Sequence, residues 1–180
     1  MVVLMLLVVC RSGKDISPVF HTDNVSRPNG SLEHYQSMQQ QLTALVSGEP
    51  DLIANLANIS AFIYDQLADL NWLGFYLTRN EELVLGPFQG KVACVRIPFG
   101  KGVCGTAASS QTIQRVADVH TYSGHIACDS ASNSEIVLPI VVNGKTVAVL
   151  DIDSPSLNRF SATDEQGLAL LLPLLETLDW

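Results

Sequence analysis

The chain has 180 residues, 47% of them hydrophobic, enough for one buried core and short enough to read as a single domain. Lys and Arg number 10 against 18 Asp and Glu, a formal net charge of −8; this balance repels phosphate backbones and anionic lipid and argues against nucleic acid or membrane partners. Four cysteines, at 10, 94, 104 and 128, are too dispersed for a disulfide scaffold and form no Cys-x-x-Cys pair for zinc, so individually placed thiols in a reducing, cytoplasmic setting are expected.

The opening MVVLMLLVVC is apolar but far shorter than the ~20 residues of a spanning helix. It lacks a basic segment before the apolar run and a small-residue cleavage site after it, both needed for a secretory signal. Residues 1–30 are therefore expected to be an extension outside a fold that occupies residues 31–180. Residues 31–47, SLEHYQSMQQQLTALVS, hold helix formers behind a Ser that can cap them. Residues 51–70 place Leu52, Leu56, Ile59, Ile63, Leu67 and Leu70 at steps of three and four, the stripe of an amphipathic helix.

Strand signals follow at WLGFYLT (72–78), ELVLGPF (82–88) and CVRIPF (94–99), with turn residues between them. A short helix over 103–110 and a strand over 112–116 come next. Two further strands, EIVLPIVVN and KTVAVLDID, meet at Asn143-Gly144, a dipeptide suited to a tight hairpin. Ser161 opens a capping-box-like Ser-x-x-Asp, and Leu168, Leu171, Leu172, Leu175 and Leu178 predict one C-terminal helix kinked at Pro173. The order predicts an α+β fold: a mainly antiparallel sheet with the N- and C-terminal helices on one face.

Residues two apart on a strand point to the same side. Leu73, Phe75 and Leu77 thus share a face with each other, as do Ala148, Leu150 and Ile152. The opposite face receives Trp72, Gly74 and Tyr76 from one strand and Val147, Val149, Asp151 and Asp153 from the other. If the apolar faces meet the helices, the far face carries aromatics and carboxylates, the lining of a ligand pocket. Residues 117–134 lack apolar periodicity and hold Cys128; so long a connection in a small domain suits a functional lid over that pocket, and Glu135 stands at its exit.

Three local motifs point elsewhere. GKGVCG (100–105) matches G-x-G-x-x-G, but the short helix after it and the Arg96 and Pro98 before it fit turn and helix-entry glycines better than a dinucleotide site. Cys94, Cys104, Cys128 and His125 offer ligands of the right softness for a metal without the paired spacing that metal sites use. A cysteine hydrolase would need His125 or His120 to activate Cys128, yet three nearby carboxylates oppose a developing oxyanion.

The segments NWLGFYL, LGPFQGKVACVRIPFGKGVCGTAA, VADVHTYSGHIACDSASNSEIVLPI and VAVLDIDS together resemble the free methionine-(R)-sulfoxide reductases, enzymes built on a GAF domain. The resemblance runs from about residue 31 to the last residue and leaves out Cys10. It implies a GAF-like sheet with a ligand pocket under loops on the face away from the helices. It further implies a nucleophile at Cys128, a principal resolving cysteine at Cys94, an auxiliary thiol at Cys104, and a substrate pocket of Trp72, Tyr76, Glu135, Asp151 and Asp153. The implied activity is reduction of free methionine-(R)-sulfoxide through a Cys128 sulfenic acid and a Cys94–Cys128 disulfide. Thioredoxin would recycle that disulfide in an oxidative-stress role, with no metal or organic cofactor and with a homodimer as an option. A non-catalytic GAF module that senses a small ligand is the competing reading, and it leaves the thiols at 94 and 128 without a purpose.

Overall fold

The computed structural model describes residues 30–124, 126 and 129–180. Among the described residues five α-helices and six strands follow one another as α1 (Leu32–Leu45), α2 (Leu52–Gln66), β1 (Trp72–Arg79), β2 (Glu82–Gly90), β3 (Arg96–Pro98), α3 (Gly102–Ser110), β4 (Gln114–Val116), β5 (Ser134–Val142), β6 (Lys145–Ser154), α4 (Ala162–Ala169) and α5 (Leu172–Leu175). The strands form one antiparallel sheet in the order β3-β2-β1-β6-β5-β4. This is the α+β arrangement expected from the alternation of apolar residues.

Local chemistry sets the helix ends. Ser31 caps α1 by accepting from the backbone N–H of His34, and Asp51 caps α2 by accepting from Ala54, each satisfying an amide that the first turn leaves free. Ser161 and Asp164 form a reciprocal capping box at α4. The helix expected to reach residue 70 stops at Gln66, where Leu67 turns extended and Asp69 takes a φ of 64°. The expected kinked C-terminal helix is instead two helices. Leu170 closes α4 by donating to Gly167 and Leu168 carbonyls, and Pro173 then sits in the first turn of α5, where its missing N–H costs nothing.

Two cores lie on the two faces of the sheet. On one face Leu73, Phe75, Leu77, Ala148, Leu150 and Ile152 pack with α1, α2, α4 and α5, as strand parity predicts. On the other, Trp72, Tyr76 and Val149 pack with α3 through Val103, Cys104, Ala107 and Ala108. One assignment is corrected: Val147 packs against the helix-side core rather than the acidic face. The β5–β6 register shifts there, Ile140 pairing Ala148 while Val141 pairs Thr146. The extra residue is a bulge that breaks the alternation, and it turns the Thr146 hydroxyl to donate to the Ala108 carbonyl of α3 at 2.7 Å. Asn143 and Gly144 both take positive φ, 52° and 73°, as a tight hairpin turn requires.

Candidate active site

The pocket opens on the α3 face, where β5 and β6 pair in a register that sets Glu135 opposite Asp153 and Val137 opposite Asp151. The same period-2 logic that builds the helix-side core thus delivers three carboxylates to one spot. Strand β1 lies on the other side of β6, pairing Trp72 with Asp153 and Gly74 with Asp151. Gly74 is needed here, because a Cβ would fall 2.3 Å from the Cβ of Phe88 and 2.7 Å from the Trp72 ring. Its absence lets Trp72 stack on Phe88, with ring centres 5.4 Å apart, and on Tyr76 at 5.8 Å.

Glu135, Asp151, Asp153 and Cys104 all line the cavity, together with Ser132 and Asp129. Cys104 donates from Sγ to Glu135 Oε1 at 3.8 Å. Cys104 Sγ and one oxygen from each of Glu135 and Asp151 lie within 4.8 Å of one another. Asp151 lines the cavity and is 6% exposed, and its Oδ1 is buried with no hydrogen-bond partner. A buried polar oxygen left unpartnered in this way is costly unless something else fills the pocket and donates to it.

Crowding changes how these groups hold protons. Burial first, then the charges of Asp151 and Asp153, push Glu135 well above the usual carboxyl range. Asp153 moves the same way, by burial and then by Asp151, with a hydrogen bond from Ser132 opposing the rise. Asp151 rises least, to about 6, because burial is offset by bonds from Cys104 and Glu135. Burial and the same carboxylates push the Cys104 thiol up as well, which makes it a protonated donor rather than a ready thiolate.

Another part of the wall is the first turn of α3. Its N-cap, Lys101, makes no side-chain cap bond, and Lys101, Gly102 and Val103 line the same cavity as the three carboxyl groups. Gly100 and Gly102 adopt φ of 74° and 61°, and a Cβ on Gly105 would meet the Pro98 carbonyl oxygen at 2.3 Å. The glycines of GKGVCG therefore bend the chain into α3 and let it lie against β3.

Trp72 and Tyr76 are 2% and 1% exposed. They pack beside the carboxylates' strand and are not among the described residues that line the cavity. Burial and the nearby carboxylates keep the Tyr76 hydroxyl protonated. Cys94 is disulfide-bonded and Cys104 is free, so of the four ligands in the metal reading, one sulfur is already committed to another bond. Cys128 and His125 lie outside the described residues, as does Cys10.

Several pocket residues escaped the sequence reading: Ile97, Lys101, Asp129 and Ser132. Asp129 and Ser132 fall in the polar connection already marked as functional. No periodicity singles them out, because their partners lie on distant segments.

The pattern for a GAF domain matches residues 53–176. The free methionine-R-sulfoxide reductase of Escherichia coli (strain K12) is 56% identical over 144 residues, 80% of this chain and 87% of that one. The enzyme of the same name from Saccharomyces cerevisiae is 46% identical over 166 residues, 86% and 92% of the two chains. The X-ray structure of free methionine-R-sulfoxide reductase from Neisseria meningitidis in complex with its substrate superposes with a TM-score of 0.82 at 42% identity, covering 87% of this chain and 94% of that one. Among the described residues no helix is long and apolar enough to cross a membrane. On fold, pocket and likeness together, the chain is a GAF-domain protein of the free methionine-R-sulfoxide reductase family, a family of oxidoreductases.

Proposed function

We propose that this protein reduces free L-methionine-(R)-sulfoxide to L-methionine, with Cys128 as nucleophile, Cys94 as resolving thiol and thioredoxin as reductant, in the cytoplasm. Residues 31–180 form the catalytic GAF domain, and residues 1–30 are an extension to it. The observation that carries the reading is the buried trio Glu135, Asp151 and Asp153, gathered on one cavity with Asp151 Oδ1 unpartnered.

The pocket has the polarity of a free amino acid. Asp151, the most readily ionised of the three, accepts from the substrate ammonium through its unpartnered oxygen. The substrate carboxylate sits across the cavity at the first turn of α3 beside Lys101. A peptide-bound methionine sulfoxide has an amide in place of the ammonium and a further residue in place of the carboxylate, so it satisfies neither wall. Trp72 and Tyr76, beside the carboxylates' strand, shape the end that receives the S-methyl group and help select one epimer.

Chemistry follows from the raised carboxyls. The Cys128 thiolate attacks the sulfoxide sulfur while a protonated carboxyl from Glu135 or Asp153 donates to the sulfoxide oxygen. The attack joins Cys128 sulfur to the methionine sulfur and the protonated sulfoxide oxygen leaves as water; water then adds to the Cys128 sulfur, the S–S bond breaks, methionine leaves with that electron pair, and Cys128 is left as a sulfenic acid. The Cys94 thiol displaces that oxygen as water and forms the disulfide, which the thioredoxin dithiol reduces by exchange. Cys104, buried and protonated, serves as an auxiliary donor that steadies Glu135.

The test supplies the purified protein with thioredoxin, its reductase and NADPH, and with the free R epimer, the free S epimer or a peptide sulfoxide. NADPH is expected to fall only with the free R epimer. Cys128→Ser is expected to remove turnover, and Cys94→Ser to release about one methionine per enzyme before stalling. No R-selective consumption by folded wild-type protein would sink the reading.

A further inference from the structure

Two neighbouring residues at the start of β1, Asn71 just before it and Trp72 its first residue, reach the two segments that carry the proposed redox thiols. Trp72 donates from its indole Nε1 to the Lys91 carbonyl at 3.0 Å, which fixes the segment leading to Cys94. Asn71 divides its amide N–H groups between the other segment's two anchor points, Asp129 Oδ2 at 3.1 Å and Ser132 Oγ at 3.0 Å. Its own backbone N–H donates to the Asp153 carbonyl at 3.1 Å, so the anchor belongs to the rigid sheet.

The ring closes between the segments. Lys91 Nζ lies 3.8 Å from Asp129 Oδ1, and the Asp129 side chain is 7% exposed. Asp129 also accepts from the Ala131 N–H at 2.9 Å, and that donor first holds its carboxyl below the ordinary range. It is therefore an ionised anchor, on which hydrogen bonds are stronger than between neutral groups. Ser132, having accepted from Asn71, bonds onward to Asp153 in the pocket.

We propose that Asn71 is a positioning residue for the redox step: its amide holds Asp129 and Ser132 at a set distance from the Cys94 segment held by Trp72. The inference rests on the assignment of Cys94 and Cys128 above. Closing a disulfide demands Cα atoms about 5.5 Å apart, so residues that hold both segments in register raise the effective concentration of one thiol at the other. Asn71 acts here through its bonds to Asp129 and Ser132.

The experiment equilibrates wild-type protein and variants with reduced and oxidised dithiothreitol, traps free thiols by alkylation and reads the disulfide by mass spectrometry. Asn71→Ala is expected to lower the equilibrium constant for the Cys94–Cys128 disulfide by about tenfold or more, the size of one hydrogen bond to a charged group. Asp129→Asn, on the far side of the same bond, is expected to shift it the same way. Asn71→Gln, which keeps the amide, is expected to recover part of the loss. In an Asp129→Ala background Asn71→Ala should cost less than it does alone, because one of its two contacts is already gone. An unchanged equilibrium in either Asn71→Ala or Asp129→Asn, or full additivity in the double variant, overturns the proposal. Absence of a Cys94–Cys128 linkage in the wild-type protein instead removes the functional reading beneath it, and the linkage map separates the two failures without any assay of turnover.

Discussion

Asp164 and Asp151 are both buried carboxylates, 3% and 6% exposed, yet they lie on opposite sides of the sheet and are treated in opposite ways. Asp164, at the start of α4, receives the Tyr35 hydroxyl at 2.6 Å, the Ser161 N–H at 2.7 Å and the Ser161 hydroxyl at 2.7 Å, with Arg159 at 3.5 Å. Burial alone would raise its pKa, but these donors hold it below the ordinary value. Asp151 has two acidic neighbours, an unpartnered oxygen and a raised pKa. A charge fully surrounded by donors serves the fold, whereas one crowded by like charges and left unpartnered costs stability and is kept for a ligand or a reaction.

The largest predicted effect tests the functional half of that contrast. Asp151→Asn keeps the shape and removes the charge that would take the substrate ammonium. kcat/KM for free methionine-(R)-sulfoxide is expected to fall by about 10²-fold or more. Thermal stability at neutral pH is expected to stay level or rise, since a repelling charge is gone from a buried cluster. Full activity with a lowered Tm would place Asp151 with Asp164 among the structural carboxylates and erase the distinction.

The second prediction concerns pH. A carboxyl whose pKa is raised on folding contributes stability that is complete below its unfolded value and is lost as pH rises through the folded value. For Asp151 the window runs from 3.8 to about 6, and Glu135 and Asp153 extend it upward. Asp164 has the opposite sign, with stability present above 3.8 and lost as pH falls through its lowered value. Between about pH 4 and 6 only the pocket side should therefore act, and the urea midpoint of the wild-type protein is expected to decline across it. Asp151→Asn should flatten that decline. A midpoint that rises over the same interval would show the trio to be stabilised by ionisation, against the crowding described above.

Much of this contrast can be read from the chain alone, for a physical reason. Strand parity depends only on local geometry, and it places Asp151, Asp153, Trp72 and Tyr76 on the face away from Leu73, Phe75 and Leu150. It is blind to depth, so it does not separate the residues that line the cavity, such as Asp151 and Asp153, from the buried aromatics packed on the same face. It fails at Val147, where one extra residue in the strand resets the alternation. Nor does it reach the Asn71–Asp129 and Asn71–Ser132 bonds, which join residues 58 and 61 apart. Contacts of that kind leave no periodic trace, and the break between α4 and α5 shows a milder case, in which a terminal closure decided by a few carbonyls overrides a continuous apolar stripe.

The smallest predicted effect probes the structural half. Tyr35→Phe removes the hydroxyl that reaches Asp164 and keeps the ring, which packs so closely on Gly167 that a Cβ there would lie 1.9 Å from Tyr35 Cδ2. The change therefore opens no cavity of consequence, and the loss is that of one hydrogen bond to a buried carboxylate. Arg159 and Ser161 still face Asp164, which limits the penalty. Unfolding free energy is expected to fall by about 1–2 kcal/mol in urea titration, with kcat/KM per folded molecule unchanged within about twofold. The acid limb should shrink too, because an Asp164 with fewer donors has a pKa nearer its unfolded value and less stability to lose below 3.8. A large drop in kcat/KM at unchanged stability would mean that the helix side reaches the chemistry through the sheet, and the division of labour between the two faces would have to be redrawn.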